Sequence, residues 1–333
     1  MAARDATPGH DLTVSVVVPT FRRPELLALT LASLKAQTHT NFQALICDNA
    51  AQAATEKVVA DLADDRFTYL ARETNLGMHR NAIDGFRRAD GDLVFKLDDD
   101  DILDPTCFET LRQPFTERQD VTLTFSGTRL IDLHGDVLVP QTQAWAETTG
   151  VAGLGQGYVK PFTTLAARGS IQLCAALVKR SAVDWDVFPE QTATAYDLHI
   201  SLQAARDEAA AWYTPQQLVS YRMHPGSDSA NKLAAQLTGG AFTLQHALDS
   251  GRYEDTAAIE AALWEHQLRR GREFLRDGQA DQARIALRKA WSLRRERQSG
   301  VLLGLSYLPN GPRHRVLAAR KARYVDPTRV NAH

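Results

Sequence analysis

The sequence predicts an α/β protein with a mostly parallel central sheet and an appended helical C-terminal region. Short β-branched and apolar runs alternate with helical segments through the N-terminal third of the chain, which is typical of parallel sheets. Three of these runs end at Thr20, Asp48 and Asp98, and such sheets bind ligands beyond the carboxyl ends of their strands. After about residue 235 the composition changes to Ala, Arg and Leu, so we expect helices there.

The first elements follow directly from residue type and periodicity. LTVSVVVP at 12–19 is a β-branched run that ends in proline, as a buried strand does. PELLALTLASLKA at 24–36 has helical apolar spacing with Pro24 in its first turn. The same patterns predict strands at 42–48, 67–71 and 91–97, and helices at 54–63 and 78–89.

The middle of the chain is less regular. Residues 127–139 predict a hairpin around a His-Gly-Asp turn, and 140–170, rich in Gly, Thr and Gln, predict a long mobile loop. A strand at 171–178, a helix at 195–208 and short strands with turns over 211–229 are expected to complete the sheet.

The C-terminal region is basic. From Gln267 onward there are 16 Lys and Arg against five Asp and Glu, a net of +11, whereas the rest of the chain carries a net of −13. Two amphipathic helices joined at Gly278 are predicted there, and they resemble a single tetratricopeptide hairpin that packs on a main domain. The basic surface faces either the protein's own acidic body or an anionic membrane. We therefore predict a flexible tail at 1–12, a main domain at 13–235 and a basic helical region at 236–333.

Composition excludes several classes of protein. The chain has 333 residues, of which 44% are hydrophobic and 23% charged, which is ordinary for a folded soluble protein and not for a disordered or collagen-like one. No apolar run approaches the roughly 20 residues of a membrane span, and the N-terminus lacks a signal-peptide pattern. Three cysteines without CxxC spacing predict no disulfide framework. The expected location is the cytoplasm or the inner face of the membrane.

Four consecutive aspartates, Asp98 to Asp101, form the sharpest chemical feature. Crowded carboxylates repel one another unless a cation offsets the charge, and all-oxygen ligands favour Mg²⁺ or Mn²⁺ together with a substrate phosphate. An acidic turn or a helix-capping cluster is the alternative, because Asp suits both positions.

The context of these aspartates resembles the family 2 glycosyltransferases of the GT-A fold. The resemblance rests on VSVVVPTFRRPELLALTLASLKAQTHTNFQALICDNA, then ETNLGMHRNAIDGFRRADGDLVFKLDDDDILDP, FPEQTATAYDLHISLQAA and LVSYRMHPGSDS. It covers roughly residues 13–229, in the family's order and spacing. It implies a GT-A nucleotide-sugar-binding fold for the main domain.

The resemblance also implies where the donor binds. VPTFRR matches the family's VPTYNR, which implies that Thr20 and Arg22 lie against the base and diphosphate. Asp48 matches the carboxylate that pairs with the base, and an ionised carboxylate accepts the imide N–H of uracil or thymine. This chain has Asn49-Ala50 where the family usually has Asp and Ser, which weakens the inference about ribose contacts. Asn75, with the glycine two residues later, opens a further matched segment, although an Asn-x-Gly sequence is also an ordinary turn.

Further residues carry over to the phosphates and the metal. Arg80 in the same matched segment is expected to contact the nucleotide or its phosphates. Asp98 and Asp100 match the DxD motif, with Asp98 toward the ribose and the metal and Asp100 as ligand of Mn²⁺ or Mg²⁺. Arg222 is expected to bind phosphate, and His224 to ligate the metal or touch the diphosphate.

Asp197 is the expected general base. Tyr196-Asp197 stands where the family has Glu-Asp, and in inverting members this Asp deprotonates the acceptor hydroxyl. A helix-capping role, contributing about 1 kcal/mol, is the alternative. The replacement of Glu by Tyr196 bears on the acceptor side more than on the base.

These matches imply an inverting, metal-dependent enzyme that transfers a sugar from a UDP or dTDP donor to an acceptor hydroxyl. Surface polysaccharide or other glycan assembly is the expected setting, with glycans, lipid-linked glycans or small molecules as acceptors. Glycosylation of a natural product or peptide is an alternative, and a non-catalytic nucleotide-sugar-binding scaffold is a second. A dehydrogenase or a nucleotidyltransferase is disfavoured, because no Gly-rich loop follows the first strand. No nucleic-acid partner is expected.

Overall fold

The computed structural model describes residues 12–224, 233–309 and 311, which divide into two compact units. The first comprises residues 12–190 and Ile200–His224, and the second comprises Gln191–His199 and the described residues from 233 onward. The predicted main domain at 13–235 and helical region at 236–333 remain predictions. Of the predicted tail at 1–12, residues 1–11 lie outside the described residues, and Leu12 is buried in the core.

The first unit contains a mixed sheet. In chain order its strands are β1 (Val14–Thr20), β2 (Phe42–Asp48), β3 (Phe67–Ala71), β4 (Leu93–Lys96), β5 (Ile102–Leu103), β6 (Val121–Ile131), β7 (Gly157–Val159), β8 (Ala176–Lys179) and β9 (Ala210–Arg222). The spatial order is β3-β2-β1-β4-β8-β6-β9-β5, and β7 pairs with β9. The first four in this spatial order are mutually parallel, as predicted, whereas β8 is antiparallel to both of its neighbours.

The helices of this unit flank the sheet. They are α1 (Pro24–Lys35), α2 (Ala53–Ala60), α3 (Met78–Arg88), α4 (Cys107–Glu117), α5 (Val139–Thr149), α6 (Thr163–Ala167) and the C-terminal half of α7 (Tyr196–Ala204). Alternate residues of a strand face opposite sides of a sheet, and Val16 and Val18 pack into the cluster that buries Leu27 and Leu31 of α1. Val17 faces the other side, where α3 passes so closely that a Cβ on Gly85 would lie 2.6 Å from its Cγ1.

Two sequence predictions for the middle of this unit need correction. Residues 140–170 are not one long loop, because they contain most of α5, all of β7 and all of α6. The expected hairpin at 127–139 is confirmed at its turn, where Ile131 bridges Val137 in antiparallel fashion and the Leu138 N–H donates to the Leu130 carbonyl, but its first arm is the end of β6, an 11-residue strand. Gly127 permits the bulge between β6 and β9, since its absent Cβ would lie 2.7 Å from the Pro215 carbonyl.

The second unit is helical in the part described. Beyond the start of α7 it contains α8 (Leu233–Asp249), α9 (Ala257–Arg276), α10 (Ala280–Leu293) and α11 (Arg297–Leu305). The predicted pair of helices joined at Gly278 is confirmed as α9 and α10, and Gly278 has the left-handed φ of +76° that favours glycine. Leu268, Leu275, Leu287 and Leu302 form its buried core.

Candidate active site at the carboxyl edge of the sheet

The parallel strands bring three of the predicted site residues to one edge. Thr20 ends β1 and is in register with Asp48 at the end of β2, while Val17 is in register with Lys96, the last residue of β4. The aspartate run therefore begins two residues beyond β4, beside the end of β1. Parallel strands end at the same edge of a sheet, which explains why residues distant in sequence meet here.

Asp99 fixes the loop after β1 against the aspartate run. Its Oδ2 accepts a hydrogen bond of 2.7 Å from the Thr20 hydroxyl and a longer one of 3.4 Å from the Phe21 backbone N–H. Burial of the carboxylate raises the pKa of Asp99 to about 6, although the Thr20 hydrogen bond opposes that rise. Thr20 is itself buried, so its hydroxyl holds the two loops together.

Asp100 carries two cationic or potentially cationic neighbours on one oxygen. Its Oδ2 lies 2.9 Å from Nη1 of Arg23 and 2.8 Å from Nε2 of His224. The structure thus brings together two of the three predicted metal ligands. The side chains of Asp100 and His224 are 10% and 8% exposed, so their interaction is sheltered from water.

The arginine that reaches these carboxylates is Arg23, which was not among the predicted site residues, while the expected contact of Arg22 with the donor remains a prediction. Arg22 is exposed, has a left-handed φ of 58°, and packs its guanidinium over the neighbouring Phe21 ring. Arg23 adjoins Pro24 at the start of α1 and extends to Asp100 and, at 3.4 Å, to Asp99. The last Arg of VPTYNR indeed aligns with the second Arg of VPTFRR, so the motif itself contained this signal.

Asp98 and Asp101 occupy a different part of the loop. Asp98 forms an ion pair of 3.0 Å with Lys96. Among the described residues, the carboxylates of Asp98 and Asp101 and the Cys174 thiol each place one atom within 4.8 Å of the others. Asp101 is fully buried, and burial together with the charges of the neighbouring carboxylates raises its pKa well above the ordinary value. Its Oδ1 accepts the Arg222 backbone N–H, and its Oδ2 has no hydrogen-bond partner in the described part of the chain.

Arg222 holds the backbone of the site, and its expected contact with phosphate remains a prediction. The side chain is 3% exposed, and its Nε donates to the Asp100 carbonyl at 2.8 Å. Its Nη1 donates to the carbonyls of Asp132 and Leu133 at 2.9 and 3.1 Å. The guanidinium therefore joins the aspartate loop to the turn after β6.

The carboxylate of Asp48 is enclosed by its own surroundings. The residue is 0% exposed, and its oxygens accept 2.9 Å hydrogen bonds from the backbone N–H groups of Ala50 and Gln52 and from the Tyr69 hydroxyl. Burial, and secondly the hydrogen bond to Asp48, raise the pKa of Tyr69. A base could reach Asp48 only if these groups moved, so in this conformation the carboxylate shapes the loop after β2.

Asn49, which sequence reasoning treated as a departure, has a defined role. Its Nδ2 donates to Asn75 Oδ1 at 2.8 Å, and its Oδ1 accepts the Leu76 backbone N–H at 2.8 Å. Asn75 Oδ1 also accepts the N–H of Gly77, which has a φ of +78°. Asn49 therefore ties the loop after β2 to the turn that begins α3.

Arg80 projects from the first turn of α3 and is exposed. Its guanidinium pairs with Glu190 at 2.9 Å, with 62% and 70% of the two side chains exposed. An exposed pair of this kind contributes little stability, so the Arg80 guanidinium can exchange Glu190 for another anion at low cost. Its expected contact with phosphate remains a prediction.

Asp197 lies in the first turn of α7, where a carboxylate interacts favourably with the helix dipole. It is half-buried and follows Tyr196, which is 2% exposed. Both residues belong to the second unit. Its role as general base therefore stays a prediction from the motif.

The donor set near Asp100 fits a divalent cation. A sheltered carboxylate oxygen of Asp100 and an imidazole nitrogen of His224 lie together at 2.8 Å. Carboxylates suit Mn²⁺ and Mg²⁺, and neutral histidine is a frequent metal ligand.

Part of the chain is similar to a known family. Residues 15–148 match the model of glycosyl transferase family 2. The chain is 34% identical over 107 residues to the GalNAc(5)-diNAcBac-PP-undecaprenol beta-1,3-glucosyltransferase of Campylobacter jejuni, covering 31% of this chain and 35% of that protein. It is 27% identical over 92 residues to the UDP-Glc:alpha-D-GlcNAc-diphosphoundecaprenol beta-1,3-glucosyltransferase WfgD of Escherichia coli, covering 28% and 36%. The chain thus spans about a third of the length of the curated relatives that it matches.

Solved structures extend the likeness of the fold to most of the chain. S. aureus TarS 1-349 in complex with UDP-GlcNAc has a TM-score of 0.67 at 15% identity, covering 94% of this chain and 92% of that one. The mannosyltransferase PcManGT of Pyrobaculum calidifontis, in complex with GDP-Man and Mn²⁺, has a TM-score of 0.57 at 15% identity, covering 95% and 88%. Together with the parallel strands and the converging strand ends, these likenesses confirm the predicted GT-A fold, and residues 15–148 match glycosyl transferase family 2.

Proposed function

We propose that this protein is an inverting, metal-dependent glycosyltransferase that uses a UDP or dTDP sugar. The observation that carries the proposal is the meeting of Asp100 and His224 at 2.8 Å. It lies at the sheet edge where Thr20 and Asp48 end β1 and β2 and where the aspartate run begins two residues beyond β4. A carboxylate and an imidazole at this edge suit a cation that holds a nucleoside diphosphate.

The chemistry requires charge neutralisation at the leaving group. Sugar transfer releases a nucleoside diphosphate, and a bound Mn²⁺ or Mg²⁺ held by Asp98, Asp100 and His224 would offset its developing negative charge. Arg80, exposed on the first turn of α3, supports the same role because it can leave Glu190 for a phosphate oxygen. Preorganised positive charge lowers the barrier without reorganisation during the reaction.

Asp197 completes the proposed mechanism as the general base. Its carboxylate takes the proton of the acceptor hydroxyl as that oxygen attacks the anomeric carbon, while the bond from that carbon to the diphosphate oxygen breaks. A single displacement inverts the anomeric centre, so an α-configured donor gives a β-linkage. No second, nucleophilic carboxylate is needed, in contrast to retaining enzymes.

The acceptor is proposed to be a lipid-linked glycan. The Campylobacter and Escherichia relatives are named for undecaprenol-linked acceptors and beta-1,3-glucosyl transfer. No helix in the described part of the chain has the length and apolar character needed to cross a bilayer. We therefore propose peripheral contact through the basic second unit, where Arg288 and Lys289 are exposed on α10 and the aromatic ring of Tyr307 is 58% exposed. Such a surface suits anionic headgroups.

Calorimetric titration tests the donor site. UDP and dTDP, and GDP as the unmatched base, are titrated with and without Mn²⁺ into the wild-type protein and into Asp100→Asn. The proposal expects metal-dependent binding of UDP or dTDP that Asp100→Asn weakens at least tenfold. Equal affinity with and without metal would refute metal dependence, and binding of GDP alone would refute the donor class.

Asp197→Asn separates catalysis from binding. The variant should bind UDP with Mn²⁺ as the wild type does. Its rate of sugar transfer should fall by about 10²- to 10⁴-fold, the range expected for a missing general base. The measurement is the rate of UDP release from UDP-glucose with an undecaprenyl-diphosphate-linked acceptor. A wild-type rate in Asp197→Asn would refute the assignment of the base.

A further inference from the structure

We infer that Arg23 is an exchangeable counter-ion which occupies Asp100 in place of the divalent cation and thereby weakens metal binding until a diphosphate draws the arginine away. The inference rests on the proposed function, because it concerns the metal ligand Asp100. It concerns Arg23, which is not one of the proposed metal ligands, and the coupling between diphosphate binding and metal binding.

Arg23 and a divalent cation would compete for one oxygen, Oδ2 of Asp100. Arg23 Nη1 donates to Asp100 Oδ2 at 2.9 Å, and His224 Nε2 lies 2.8 Å from the same oxygen. A carboxylate oxygen has only two lone pairs. A divalent cation on Oδ2 therefore has to displace Arg23 or bind beside the positive charge of its guanidinium.

Of the two neighbours of Asp100 Oδ2, Arg23 is the one that can move away. The His224 side chain is 8% exposed, whereas that of Arg23 is 29% exposed and has a long flexible stem. Arg23 also already lies 3.4 Å from Asp99 Oδ1, a second carboxylate that keeps its bonds to Thr20 and Phe21 when Arg23 moves. The guanidinium can thus leave Asp100 without becoming an unpaired charge.

A diphosphate would bind the Arg23 guanidinium better than Asp100 does. Guanidinium groups bind phosphate oxygens in a planar, bidentate manner. A diphosphate bound beside the aspartate run would take Arg23, and its departure would leave Asp100 Oδ2 to the metal. Diphosphate and metal should then bind cooperatively, and by linkage each should raise the affinity for the other.

The experiment measures Mn²⁺ affinity alone, by electron paramagnetic resonance of free Mn²⁺, in the wild type and in Arg23→Gln. Arg22→Gln is the matched control for the titration without nucleotide, because Arg22 is the exposed neighbour that makes no hydrogen bond to the aspartates among the described contacts. We expect Arg23→Gln to bind Mn²⁺ about tenfold more tightly, which corresponds to about 1.4 kcal/mol, and Arg22→Gln to match the wild type. A second titration with UDP present should show a smaller UDP-induced gain in Mn²⁺ affinity for Arg23→Gln than for the wild type.

The outcomes separate this inference from the proposed function. Mn²⁺ affinity in Arg23→Gln that equals or falls below that of the wild type, with binding still lost in Asp100→Asn, overturns the counter-ion role and leaves the metal site standing. Mn²⁺ binding that is absent from the wild type, with and without UDP, overturns the metal site and this inference together. If Arg23→Gln does not fold, Arg23→Lys is used, whose single ammonium cannot bridge two carboxylates in the same way. It should bind Mn²⁺ more tightly than the wild type does, and unchanged affinity refutes the inference.

Discussion

Replacement of Arg222 by methionine should destabilise the first unit without acting on the nucleotide directly. Methionine has a similar length but donates no hydrogen bond. Three bonds of 2.8–3.1 Å would be lost from a side chain that is 3% exposed. Bonds from charged donors contribute about 1.5–3 kcal/mol each, but Leu133 is 51% exposed, so water can replace part of the loss in that turn. We expect Arg222→Met to lower the free energy of unfolding by about 2–4 kcal/mol.

Urea unfolding followed by circular dichroism measures this change, and calorimetric titration of UDP with Mn²⁺ measures binding at a temperature where both proteins remain folded. Arg222→Lys retains the positive charge but loses the planar fork, so it should recover only part of the stability. The reasoning would be refuted if Arg222→Met kept its unfolding free energy within about 0.5 kcal/mol, the range of an uninvolved surface change, while UDP affinity fell tenfold. That result would return Arg222 to the phosphate-binding role that the resemblance implied.

Three further predictions concern other parts of the chain. Asn49→Ala removes both side-chain bonds to the turn before α3 and should lower the unfolding free energy by about 1–2 kcal/mol; an unchanged urea midpoint would contradict this. Gly239→Ala in α8 would place a Cβ 2.2 Å from the Thr192 carbonyl oxygen and should lower the free energy of unfolding by about 1–3 kcal/mol. Gly304→Ala in α11, where a Cβ would meet no atom within 4 Å, should raise the stability slightly. Thermal melts of the two variants and the wild type test this difference. Arg80→Gln breaks only an exposed ion pair, so its melting temperature should stay within about 1 °C of the wild type while UDP affinity falls several-fold, and equal UDP affinity would remove Arg80 from the site.

Much of the fold could be predicted because the relevant signals are local. Val16, Val17 and Val18 are β-branched and occupy a strand paired on both sides, so their run alone predicts a buried strand. Gly278 and the amphipathic segments around it likewise predict two helices and a turn. The α5 segment was missed because it begins with Val139-Pro140 and has only one buried residue, Thr142. Its apolar periodicity is therefore weak, and tertiary contacts decide its structure.

The candidate site divides in the same way. The run Asp98–Asp101 and its place after a strand were visible in the sequence, as were His224 and Asp197. The partners of those carboxylates were not visible, because side chains separated by 77 and 124 positions meet at Asp100. Residue type alone could not show which of the two adjacent arginines contacts Asp100. Alignment with VPTYNR points to Arg23, and the structure shows it by the different backbone conformations of Arg22 and Arg23.

By itself, the sequence determined the alternation of strands and helices, the carboxylates at the strand ends and the resemblance to family 2 glycosyltransferases, because these depend on residue type and spacing. Only the tertiary structure decided how each charged group is used. Asp48 is enclosed by Tyr69 and two backbone amides, and Arg222 is bound to carbonyls. The physical reason is that a carboxylate or guanidinium in the interior requires partners for its charge, and those partners come from whichever loops the sheet brings to its edge.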